Sequence, residues 1–80
     1  MITYYEVRFL LYQYNGGGQI RNGLEKHKEK FKTIEDATKF HNSLQVLKMS
    51  GNTSEFASNY IWGGYLDKID GIYKITEEKL

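Results

Sequence analysis

Cysteine is absent from this 80-residue chain, which excludes a disulfide framework and every thiolate metal site. A small domain without either staple is expected in a reducing compartment, so the cytoplasm is the expected location. No apolar run approaches the roughly 20 residues that span a bilayer. The opening Met-Ile-Thr-Tyr-Tyr-Glu-Val-Arg mixes charge with alternating apolar residues, unlike a secretory leader, and neither a signal peptide nor a membrane segment is expected. A surplus of one charge is lacking too, for the formal net charge is only +1. The halves differ mildly: residues 1–50 carry eight bases against five acids, and residues 51–80 three against five.

Length excludes more. A chain this short leaves no room for a second domain, and 1–80 reads as one. At this size folding buries only about 60 to 65% of the surface of the unfolded chain, so a deep, water-excluding pocket is hard to build. Histidine is scarce: His27 and His41 have no short-spaced His, Asp or Glu partners in a metal-ligand pattern. Glu35-Asp36 is explained by a helix N-terminus and Glu77-Glu78 by a solvated tail, which leaves no carboxylate pair for acid/base work. Gly16-Gly17-Gly18 has no helix start behind it to aim N–H groups at a phosphate. The reading is therefore non-enzymatic, with no catalytic residue, metal or cofactor assigned.

What is present is periodicity. In residues 3–14, Tyr5, Val7, Phe9 and Leu11 alternate with Tyr4, Glu6, Arg8, Leu10 and Tyr12, the period of a strand. Asn15-Gly16-Gly17-Gly18 then supplies residues that tolerate a tight reversal. Residues 19–32 are ambiguous: Ile20, Leu24, His27 and Phe31 have helical spacing, but Asn22-Gly23 is a turn signal and no cap opens a helix. An extended return strand ending near Phe31 is the preferred reading. Thr33 followed by Glu35 and Asp36 marks a helix start, and Ile34, Ala37, Phe40, Leu44 and Leu47 form one stripe over residues 34–49, closed by Gly51. After a polar connector anchored by Phe56, residues 59–66 and 72–76 read as two strands joined through a turn at Lys68-Ile69-Asp70-Gly71, where Asp-Gly is a hairpin signal, with Gly63-Gly64 marking a bulge or a close backbone approach. The expected fold is α+β, an antiparallel sheet of about four strands in the order β-β-α-β-β, with one helix packed on one face.

Two features bear on function. If residues 25–32 are extended, Lys26, Lys28, Lys30 and Lys32 point to one side at intervals of about 6.6 Å. With Arg8 they would match the phosphates of a single nucleic-acid strand, and Tyr12 and Tyr14 could stack on its bases. The competing reading is a lysine-rich edge that blocks edge-to-edge pairing, with Glu25 and Glu29 diluting the field. Secondly, the chain holds seven tyrosines, four phenylalanines and one tryptophan. One helix covers one sheet face, so rings among Tyr4, Tyr12, Tyr14, Tyr60, Trp62, Tyr65 and Tyr73 are expected on the other, as a contact surface for a protein partner or a second copy.

The strand Tyr5-x-Val7-x-Phe9 and the segment Phe31-Lys32-Thr33-Ile34-Glu35-Asp36-Ala37 resemble small accessory proteins of phages and mobile elements of low-GC Gram-positive bacteria. The same strand, turn and helix are similar to the arm-type DNA-binding domains of phage integrases, over about residues 3–47. The resemblance implies an accessory factor that modulates a host protein. The leading expectation is a small binding or modulator protein acting through an aromatic sheet face, with a homodimer through that face as its simplest version; the alternative is a single-strand nucleic-acid binder using the lysine ridge.

Overall fold

A computed structural model describes residues 1–14 and 23–79. The reversal expected at Asn15-Gly16-Gly17-Gly18, the start of the ambiguous segment (residues 19–22) and the last residue of the tail lie outside the described residues. The elements in chain order are β1 (Ile2–Gln13), β2 (Gly23–Phe31), α1 (Ile34–Ser50), α2 (Thr53–Ala57) and β3 (Gly64–Glu77). The class is α+β, and the strands form one antiparallel sheet in the order β2-β1-β3.

Alternation builds the first two strands as expected. Val7, Phe9 and Leu11 of β1 are buried on one face. Opposite them in register stand Glu29, His27 and Glu25 of β2, while Lys30, Lys28 and Lys26 lie opposite Glu6, Arg8 and Leu10 on the other face. The extended reading of the ambiguous segment thus holds for Gly23–Phe31. α1 begins where the sequence places it: the Thr33 hydroxyl accepts from the Asp36 N–H at 3.2 Å, with Glu35 and Asp36 in the positive first turn. It ends at Gly51 in the left-handed conformation, whose N–H donates to the Leu47 carbonyl at 3.0 Å. Ala37 and Leu44 are buried, and Phe40 and Leu47 pack around them, so the apolar stripe faces the sheet.

The C-terminal third corrects the expectation. Three strands are present among the described residues where about four were expected, and no hairpin turns at Asp70-Gly71. β3 pairs with β1 along its whole length, from Gln13↔Gly64 to Ile2↔Glu77, with register shifts between Arg8 and Phe9 and between Leu10 and Leu11. Each shift inserts one residue into β3, Asp70 and Asp67 respectively. The physical reason is phase: Leu66, Ile69 and Ile72 are three apart in sequence yet oppose Leu11, Phe9 and Val7, which are two apart. Two bulges convert a spacing of three into one continuous apolar side. Gly71, at φ 150°, supplies the backbone conformation next to the first bulge that residues with a Cβ resist.

Residues 59–63 are not strand either. The connector contains α2, whose Ala57 is buried and whose Phe56 packs on Phe9 with ring centroids 5.6 Å apart. The chain then turns tightly, with the Tyr60 and Ile61 N–H groups both donating to the Ala57 carbonyl at 2.9 Å. The strand-like apolar pattern there comes from turn residues that cover the core. The core is Val7, Phe9, Leu11, Ala37, Leu44, Ala57 and Leu66, all between the helices and one sheet face. No helix among the described residues is long and apolar enough to cross a membrane.

Candidate functional site

The opposite sheet face has no helix over it among the described residues. Down its middle strand run Tyr4, Glu6, Arg8, Leu10 and Tyr12; β2 adds Lys26, Lys28 and Lys30, and β3 adds Tyr65, Lys68 and Tyr73 at the registered positions. Directly opposed residues of an antiparallel pair share a face, so these side chains form one surface.

Glu6 organises one half of it. Though on the uncovered face, it is only 2% exposed. Its Oε1 accepts from Arg8 Nε at 3.1 Å and meets Arg8 Nη2 at 3.0 Å, and its Oε2 lies 3.4 Å from Lys28 Nζ. Desolvation by itself would raise the Glu6 carboxyl, but the Arg8 hydrogen bond and the Lys28 charge outweigh it and hold the group below the usual carboxylate range. The Arg8 guanidinium also sits 4.0 Å over the Tyr73 ring, and the Tyr73 hydroxyl donates to Asp70 Oδ2 at 3.1 Å. Lys30 Nζ lies 4.9 Å over the Tyr4 ring, whose hydroxyl donates to Glu77 Oε1 at 2.8 Å; that hydrogen bond, followed by desolvation, raises the Tyr4 hydroxyl above its ordinary value. These contacts orient the cations, and in this half three carboxylates, Glu6, Asp70 and Glu77, stand among the three cations Arg8, Lys28 and Lys30.

Beyond this half, a groove of about 700 Å³ opens, lined by Arg8, Leu10, Lys26, Lys28, Lys68 and Asp70 with Phe9 and His27. Four cations line it against one carboxylate. At its far end Tyr12 stacks on Tyr65, with centroids 5.3 Å apart and planes at 24°. Tyr14 meets Tyr12 edge-on at 5.9 Å and is 52% exposed.

Of the aromatic residues expected on this face, Tyr4, Tyr12, Tyr14, Tyr65 and Tyr73 stand there. Tyr60 does not. It lies on the covered side against Phe9 and Phe56, and its hydroxyl donates to Glu29 Oε1 at 3.1 Å. Burial first, and then the Glu29 charge, push that hydroxyl up to about 12. Trp62 belongs to the turn before β3 and is 88% exposed. Arg8, Lys26, Lys28 and Lys30 all reach the face, whereas Lys32 follows the end of β2. Lys68 escapes a reading of the sequence, which puts it in a turn; its position opposite Leu10 depends on the two bulges.

The covered side offers little chemistry. His27 lies between the rings of Phe9 and Tyr60, and among the described residues its Nε2 and Glu25 Oε2 are buried without a hydrogen-bond partner. No three His, Cys, Asp or Glu residues among those described cluster as a metal site. The chain matches no family model, no curated protein and no solved structure.

Proposed function

We propose that this is a non-enzymatic binding protein whose uncovered sheet face holds an extended anionic polymer. The observation that carries the reading is the groove, in which Arg8, Lys26, Lys28 and Lys68 converge against two carboxylates, Asp70 in the lining and the buried Glu6 that pairs with Arg8 and Lys28. A net charge near zero makes this clustering informative, because the positive field is local rather than general. The same charges weigh against an apolar protein contact or a homodimer through the face. Two copies face to face would set like charges against each other, and most of the tyrosines already stack on one another or beneath a cation.

Retention on phosphocellulose tests the proposal. The triple variant Lys26→Ala/Lys28→Ala/Lys68→Ala should elute at markedly lower salt than the wild type. The control Lys39→Ala/Lys74→Ala/Lys79→Ala, with the same net charge but an intact groove, should elute close to the wild type. Equal losses in the two triples would mean that the groove has no part in binding.

A further inference from the structure

From the Tyr12, Tyr14 and Tyr65 cluster next to the groove, the geometry points to single-stranded nucleic acid as the polymer, with phosphates along the groove and bases on the tyrosine rings. This rests on the polyanion reading above and adds its chemical class. Two placements carry it. First, Lys26 and Lys28 face the same way on one strand, which sets them about 6.6 Å apart. That interval is close to the roughly 6 to 7 Å between successive phosphates of an extended single strand. Arg8 and Lys68, from β1 and β3, place further charge across the groove, so a backbone lying along it meets cations from all three strands.

Secondly, the groove does not end in more charge. Along β1, Leu10 leads to Tyr12 and Tyr14, and Tyr65 stacks beside Tyr12 from the neighbouring strand. Tyr14 is the most exposed of the three at 52%. A polyphosphate or an acidic polysaccharide has no flat apolar group to lay on these rings. An unpaired base has one, and base–aromatic stacking tolerates any sequence because every base has a π-face. A duplex hides those faces inside its own stack, leaving only its phosphates to bind. From Glu6 to Tyr14 the face is about 26 Å long, at roughly 3.3 Å per strand residue, which accommodates about four extended nucleotides. With about four phosphate contacts, log affinity should fall with log salt at a slope of about −2.8, taking about −0.7 per contact for a single strand.

Fluorescence anisotropy of a labelled 12-mer of deoxythymidine tests this, with the same length of duplex and inorganic polyphosphate as the other ligands. The single strand should bind tightest, and Tyr14→Leu, which keeps bulk on the surface but removes the aromatic face, should weaken it roughly tenfold. Polyphosphate binding should be unchanged by Tyr14→Leu and lost in Lys26→Ala/Lys28→Ala. A second substitution, Tyr12→Leu, should repeat the selective loss, with thermal melts confirming that both variants are folded. Polyphosphate or duplex binding as well as the single strand, with Tyr14→Leu and Tyr12→Leu inert, would overturn this inference and leave the polyanion reading standing. Failure of all three ligands to bind at low salt would overturn both.

Discussion

Glu6 is the residue on which the uncovered face turns. A carboxylate that is 2% exposed is normally costly, but Arg8 and Lys28 supply hydrogen bonds and opposite charge, so the ionised form is retained. Because its folded value is lowered, the stability it contributes is complete above the unfolded carboxylate value of about 4.3 and disappears as pH falls through the folded value. Replacing it with glutamine should cost about 1 kcal/mol near neutrality, a modest figure because Arg8 and Lys28 remain 39% and 58% exposed. Urea denaturation between about pH 3 and 7 should show the variant losing less stability on acidification than the wild type. The same substitution removes a negative charge from beneath the proposed ligand. At about 7 Å in water this is worth about 0.6 kcal/mol, so polyanion affinity should rise about threefold. A variant equally stable at neutral pH but no better at binding would mean that Glu6 is a bystander.

Among the elements, β3 shows where the sequence is legible and where it is not. β1 and β2 each keep a single period of two, so their faces, and with them Arg8 and the lysines at 26, 28 and 30, follow directly from alternation. α1 announces itself by Thr33 and Gly51 because its caps are local chemistry. β3 obeys neither period, since Leu66, Ile69 and Ile72 share a face only once two extra residues have been absorbed. That depends on β1 offering a partner for every other residue of β3, which is a nonlocal fact. Tyr60 misleads for a related reason: an aromatic residue in a turn that covers the core looks, in sequence, like one in a strand. The two glycines of β3 should respond differently to alanine. At Gly64 an added Cβ would run into the Tyr12 carbonyl, a backbone atom with nowhere to move, and the loss should be about 2 kcal/mol or more. At Gly71 the space is open and only the positive φ resists, so about 1 kcal/mol is expected. Denaturant midpoints should rank the variants in that order; the reverse order would show that the bulge, rather than the close approach, is the tighter constraint.

For the whole molecule the question is what opposes self-association of a slab only 16 Å thick, with one bare sheet face and two strand edges unpaired among the described residues. The β3 edge is broken by its bulges, with Asp67 and Asp70 as the inserted residues. The β2 edge is straight, and only Lys26, Lys28 and Lys30 stand out from it as exposed charges. Under the proposed function these lysines would answer two demands, an edge that resists pairing and ligand binding, which the sign of the charge can separate. Lys26→Val/Lys28→Val/Lys30→Val would leave a flat β-branched edge with no exposed charge of its own and should associate at micromolar concentration in light scattering. Lys26→Glu/Lys28→Glu/Lys30→Glu keeps the edge charged and should remain dispersed, yet bind no polyanion. If the glutamate variant also associates, charge alone does not guard the edge; a carboxylate at position 30 would stand directly opposite Glu6 and weaken the β1–β2 pairing, which a thermal melt would register. If it still binds, the groove's positive field is not what holds the ligand.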